Sequence, residues 1–537
     1  MAKQYFVMGI GGTGMRCIES LIHLCAMGLF DETEIHLLAL DTDKNNGNFS
    51  RLKKVKEAYL NTKGLDKKKR VANKDTFFSA NIKYYEFSPN YEKSSTFKAV
   101  FNYGDTKYNH REQTDLADLV LSKDVEDFNL RHGYRAQTHL GSMMMYHSII
   151  EAAREQNPNG MKSFLSELNT ASQNGNPKVF ILGSVFGGTG ASSIPIIPQA
   201  ISEAANIISN GSVDILQKAY FGSTLLTAYF TFNSPSSKEL NEQKIIATSD
   251  KFALNSQVAM MFYEDDATVK STYQKFYMMG TEGLSWNPMQ KESSETITGG
   301  EKQTNDSHFI ELLAACAALQ FYNEDEEGLA QNKQQYKTDY LYRSINENNK
   351  LEFQDFVGKA REKEFAQKFG MLIAFGLFNN GEDDFIEGVR SSRMKDIMGF
   401  DSIDSTQVKS LKDYFSLFLF GVDFETDKKG KLEEGWLYQL HRSAGSGDNM
   451  LFNARLFMPK NFKEVNDLDW NKYLYRTEGL GKDYRYSYKP IISSKFDVFK
   501  KEFIKVLNNG KSQSITDPGE QLYKLVFDTL TNIYQFK

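Results

Sequence analysis

Two strand-turn-helix units with nearly the same glycine-rich turn constrain this chain more than any other feature of its sequence. The first begins with the apolar run at residues 4–10, which enters Gly9-Ile10-Gly11-Gly12-Thr13-Gly14; Ile18, Leu21, Ile22, Cys25 and Leu29 then recur at helical spacing. The second is KVFILGSVFGGTG at 178–190, where an apolar strand runs into Gly187-Gly188-Thr189-Gly190 before Ala191-Ser192-Ser193 starts a helix. Such a turn brings backbone N–H groups and the positive end of a helix dipole to one point, and glycine lets the chain approach a phosphate closely. Alone, the first loop is ambiguous: Gly9, Gly11 and Gly14 also satisfy the GxGxxG of a dinucleotide-binding Rossmann domain, and a ligand-free tight turn stays open. Two such turns at one end of a parallel sheet can face a single polyphosphate, because ligands sit outside the carboxyl ends of the strands.

The order strand, turn, helix and strand again at 34–40 is a βαβ unit, so the expected fold class is α/β with a doubly wound, mostly parallel sheet. At 537 residues the chain exceeds the roughly 250–300 at which one core stops growing, so more than one domain is expected. Between Arg51 and Lys74 ten basic residues stand against two acidic ones, and residues 44–110 as a whole read as a decorated insertion with a solvated basic surface. Further strands are expected at 178–182, 224–232 and 275–279, and a mobile polar loop at 281–304. After it an Ala-rich helix with apolar residues on most sides must be buried in the middle of the protein. The division expected is a nucleotide-binding domain at 1–304, a central helix at 305–323 and a C-terminal α+β domain at 324–537.

Composition narrows the function classes. The net charge of −5 offers no general attraction to nucleic acid or membrane, and the longest apolar run, 369–378, is far below the ~20 residues of a membrane span. Three cysteines, Cys17, Cys25 and Cys316, with no CxxC pair argue against disulfides or a thiolate metal site and fit a reducing cytoplasm. The N-terminal segment reads as a first strand and not as a signal peptide. HExxH, GxxxxGK[ST] and GxSxG patterns do not occur.

GGTGASS after a strand resembles the signature loop of the tubulin/FtsZ superfamily, with Phe186 in place of its first glycine. The first loop, carrying Gly11, Gly12, Thr13 and Gly14, is similar to that family's N-terminal phosphate loop. Leu40-Asp41-Thr42-Asp43 resembles its second loop, where an acidic residue serves the phosphate and magnesium, and Gly133 to Gly141 occupies the slot of its γ-phosphate-sensing loop, with Arg135 as a charge clamp. The resemblance further implies a sugar contact at Glu242 and a guanine contact at Asn305; Glu311 and His308 stand as either base contacts or a helix cap. Asn323, Glu324 and Asp325 match the N-x-D loop that inserts into the next subunit's site to position the hydrolytic water, although the preceding glycine is missing.

By the same resemblance the expected cofactor is GTP/GDP, with Mg²⁺ held through phosphates and not by protein ligands. It also implies self-association into a head-to-tail filament by a divergent bacterial or phage tubulin-like protein. An unidentified protein partner is compatible with it. Two other readings stand beside this one: a non-polymerising nucleotide-sensing scaffold, and an NAD-binding Rossmann oxidoreductase.

Overall fold

A computed structural model describes residues 3–30, 33–63, 75–91, 95–101, 118–130, 133–134, 137–231, 233–238, 251–281, 297, 299–345, 353–381, 405–421, 435–436, 495–509 and 517–533. Its centre is a seven-stranded sheet, every strand parallel to its neighbours: β1 (Lys3–Ile10), β2 (Thr33–Leu40), β3 (Asn81–Phe87), β4 (Lys178–Leu182), β5 (Tyr220–Leu226), β6 (Lys275–Thr281) and β7 (Asp339–Ile345). The order across the sheet is β3-β2-β1-β4-β5-β6-β7. The chain therefore winds outward from β1 in one direction and then from β4 in the other, and the reversal falls between these two strands.

The helices longer than two turns are α1 (Gly11–Ala26), α2 (Gly47–Lys63), α3 (Thr138–Arg154), α4 (Gly160–Asn174), α5 (Ile197–Ser209), α6 (Phe252–Asp265), α7 (Phe309–Tyr322), α8 (Glu326–Gln334), α9 (Glu362–Gly381), α10 (Ser405–Phe420), α11 (Lys495–Asn508) and α12 (Pro518–Ile533). Side chains alternate along β1 between two cores, with Tyr5 and Val7 in one and Phe6, Met8 and Ile10 in the other. The first core takes α1, α2, α7 and the later helices; the second takes α3, α4 and α5. Both faces are covered, which is why the inner strands read as unbroken apolar runs. Among the described residues no helix is long and apolar enough to cross a membrane.

The fold corrects three of the sequence expectations. The stretch 44–110 is no mere insertion: it supplies α2 and the edge strand β3, paired in register with β2 from Glu34 opposite Asn81 to Leu40 opposite Phe87. Its sequence, NIKYYEF, carries the polar Asn81, Lys83 and Glu86 because an edge strand stays half-exposed. Two of its basic residues are buried and used, Arg51 on Glu19 and Lys63 on the carbonyls of Phe78 and Ser79. The strand expected at 224–232 ends at Leu226; Tyr229 and Phe230 leave the sheet and pack with Phe186.

The third correction concerns the boundary at 323/324, since β7 lies beyond the central helix and still pairs with β6. Among the described residues no strand follows β7. The C-terminal helices share the first core: Lys368 on α9 donates to Gly28 O, Tyr523 on α12 to Thr62 O, and Tyr414 on α10 hydrogen-bonds His23.

The central helix is α7, whose first turn is closed by a capping box between His308 and Glu311. Behind it Arg16 and Arg51 share Glu19, and both donate to Ser307. Arg16 also reaches Glu311, and Tyr229 donates to the other oxygen of that carboxylate. This buried cluster ties α1 and α2 to the start of α7. Losing one member would strand the others without solvent.

Candidate functional site

Both glycine turns leave the carboxyl ends of β1 and β4, the two strands flanking the reversal, and open on one cleft of about 820 Å³. Gly11 has φ +69°, a left-handed conformation suited to glycine, and a Cβ there would lie 3.4 Å from both Gly190 N and Thr189 Cβ. The two turns therefore approach each other at Gly11 and Gly190. Gly11, Gly12, Thr13, Gly187, Gly188, Thr189 and Gly190 all line the cleft. Thr138 and Ser142, from the first turns of α3, form a further wall.

Gly14 is different. A Cβ on it would fall 2.7 Å from Gly9 C and 2.8 Å from Leu182 O, so it is the glycine that lets α1 pack on β1 and β4, and it does not line the cleft. The GxGxxG spacing reads the same either way, which is why sequence alone assigned it to the ligand.

Asp41 directly follows β2 and is buried against the cleft. One carboxylate oxygen accepts Asp43 N–H at 3.2 Å and lies 3.5 Å from Thr189 Oγ1, while the other, Oδ2, has no protein partner. Thr189 Oγ1 is also 2.9 Å from Thr42 Oγ1. Burial pushes the Asp41 carboxyl up to about 7, the neighbouring Asp43 charge adding to it and the N–H contacts opposing it. An open carboxylate oxygen beside two hydroxyls is an all-oxygen set that fits Mg²⁺. Among the described residues no group of three or more His, Cys, Asp or Glu could hold a metal, so such an ion would take its other ligands from phosphate and water.

Because its carboxyl is raised well above the ordinary value of about 3.9, Asp41 favours folding most at low pH. That contribution is lost as pH rises from about 4 through about 7. Asp41→Asn, without ligand, is therefore expected to be more stable than the wild type at pH 8 by about 1–3 kcal/mol and to show little gain at pH 4. Thermal unfolding at the two pH values checks this; an equal effect at both would show that Asp41 is ionised throughout.

Asp43 lines the cleft but is otherwise engaged. Its carboxylate accepts Gly300 N–H at 2.6 Å and Asn45 N–H at 3.1 Å. It begins a clasp between residues 43–48 and 299–305, continued by Gly47 N to Gly300 O and Asn48 N to Gln303 O. Asn46 Nδ2 donates to Gln303 Oε1 at 2.7 Å, and Asn48 and Asn305 bond reciprocally at 2.7 and 2.8 Å. Asn305 is thereby turned into the clasp, and the cleft is lined instead by Asn46 and Gln303, which the sequence did not single out because they meet across 257 positions. The end of the expected mobile loop 281–304 is thus fastened at 299–304.

Arg135 and Glu242 lie outside the described residues. His308 and Glu311 form the capping box of α7, the second of their two sequence readings. Asn323, Glu324 and Asp325 sit at the opposite end of the sheet: Glu324 O accepts from Lys178 at 2.7 Å and its carboxylate pairs with Lys275, the first residues of β4 and β6. Asn323 bonds Leu319 O, and Asp325 caps α8 through Gly328 N. With about 3.3 Å per strand residue, even five-residue β4 separates them from the glycine turns by roughly 17 Å. No protein-family model matches the chain, and searches of the curated proteins and of the solved structures found no match either.

Proposed function

We propose that the chain binds a nucleoside polyphosphate with Mg²⁺, and that it does so as a tubulin/FtsZ-like GTP-binding protein that completes its site from a neighbouring subunit. The observation that carries the nucleotide reading is the convergence of two glycine-rich turns, from the strands flanking the sheet's reversal, on one cleft. In this reading the phosphates take the free N–H groups of Gly11 to Thr13 and Gly187 to Gly190, where the α1 dipole favours negative charge. Mg²⁺, when bound, neutralises phosphate charge. Among the described residues Lys251 is the one Lys or Arg lining the cleft, so amides, hydroxyls and Asp41 with its ion would do most of the holding.

The placement of Asn323, Glu324 and Asp325 supports the second half of the proposal. They are too far from their own cleft to touch its ligand, so any hydrolytic role is exerted on another copy, and a contact of that kind propagates head to tail. A Rossmann oxidoreductase would need only the first turn, whereas the second lines the same space. Nucleotide released from the purified, denatured chain and identified by mass spectrometry tests the reading: guanine nucleotide is expected, adenine nucleotide alone would remove the guanine claim, and NAD(P) would transfer the case to the oxidoreductase.

A further inference from the structure

We propose that the side-chain amide of Gln303, held in one orientation by Asn46, donates a hydrogen bond to the ligand's phosphates and joins the first glycine turn in holding them. The proposal rests on the nucleotide reading above and adds a donor from the segment before α7 to those of the two turns. The orientation follows from a chain of fixed donors. Asn48 N–H can only donate, so the Asn46 atom 2.9 Å from it is the oxygen, Oδ1, and the other is the amide nitrogen Nδ2. Nδ2 can only donate in its turn, so the Gln303 atom 2.7 Å away is Oε1. The nitrogen of Gln303, Nε2, is then the end left for a ligand, and it has no protein acceptor among the described residues.

Asn46 and Gln303 both line the cleft, and their pair adjoins the first turn. A Cβ on Gly12 would lie 3.2 Å from Asn46 Nδ2 and 3.3 Å from Asn48 Nδ2, so the clasp presents amide nitrogens to that turn. Asn48 is locked in the same way, its Nδ2 donating to Asn305 Oδ1 and its Oδ1 accepting Asn305 N–H. Donors whose companion oxygens are already bonded suit a ligand that only accepts, and a phosphate oxygen is such a group. Asp43, at the start of the clasp, has the wrong charge for phosphate, and its carboxylate is turned on Gly300 and Asn45. Lys251 is the one Lys or Arg among the described residues lining the cleft, so neutral N–H groups must supply most contacts to a polyphosphate.

The test is calorimetric titration of the full chain in Mg²⁺ with GDP and inorganic pyrophosphate, for wild type, Gln303→Met and Gln303→Lys, with a melting curve for each. Methionine keeps the length of the side chain without a donor, and lysine restores a donor; both lose the oxygen that Asn46 bonds. Gln303→Met is expected to weaken GDP and pyrophosphate by the same factor, about tenfold or more, and Gln303→Lys to bind both at least as tightly as the wild type. Unaltered affinity in Gln303→Met would overturn the proposal, as would equal losses in the two variants, which would make the clasp a structural support only. A loss for GDP with pyrophosphate unchanged would also overturn it, by moving Gln303 to the sugar or base. In each of these outcomes wild-type GDP binding stands and the nucleotide reading survives. Where Gln303→Met does not fold, Gln303→Glu keeps the oxygen bonded to Asn46 and is expected to weaken pyrophosphate at least about tenfold, unaltered affinity again overturning the proposal. A wild type that binds neither GDP nor pyrophosphate would remove the proposed function and this proposal with it.

Discussion

Gly188→Val will lose nucleotide affinity by at least about a hundredfold, roughly 2.7 kcal/mol, while folding as the wild type does. The position is chosen because its backbone is at φ −87°, ψ −63°, a conformation open to any residue, so a side chain introduces no left-handed strain. That is not true of Gly11 at +69° or Gly187 at +88°, where a substitution would mix lost binding with lost stability. Gly188 caps the one-turn helix Thr189–Ser193 and lines the cleft, so the isopropyl group takes the place of the ligand. Calorimetry with Mg·GDP together with a melting curve reads both quantities. Undiminished affinity in a well-folded variant would make the second turn a structural element only.

Asp325→Asn will lower GTP turnover by about a hundredfold or more, and wild-type hydrolysis per subunit will rise steeply with protein concentration. Both effects are expected if the acidic loop after α7 acts on a neighbour, since the complete site then exists only between two molecules. Asparagine is chosen because Asp325 caps α8 through Gly328 N, and Asn caps a helix about as well as Asp. The substitution removes the negative charge that could orient a water and keeps the cap. GTP hydrolysis measured over a hundredfold range of protein concentration decides the matter. A flat rate per subunit with no effect of the variant would leave Asp325 as a cap alone and favour the nucleotide-sensing scaffold.

How far the structure was legible depended on what each residue's role rests on. Inner strands β1, β2, β4 and β6 were readable almost to the residue because a strand covered on both faces is a continuous apolar run. Edge strand β3 was not, for its half-exposed NIKYYEF carries no such run. The glycine turns were visible as two strand-to-helix turns at one end of the sheet, but whether a given glycine faces the cleft or the backbone depends on what packs against it, as Gly14 shows against Leu182 O. Asn305 was readable as an amide at the start of the central helix and not as the partner of Asn48, a pairing made only by the fold. The raised Asp41 carboxyl likewise arises from burial that no local pattern announces.

Hydrogen exchange of the backbone amides with and without Mg·GTP tests the central claim most directly, because it reports on both glycine turns in one experiment. Exchange is predicted to slow together at residues 11–13 and 187–190, since the same phosphates occupy both sets of N–H groups. Slowing at 11–13 alone, or at neither turn, would contradict a nucleotide held between them; slowing at 11–13 alone with NADH would support the dinucleotide reading instead.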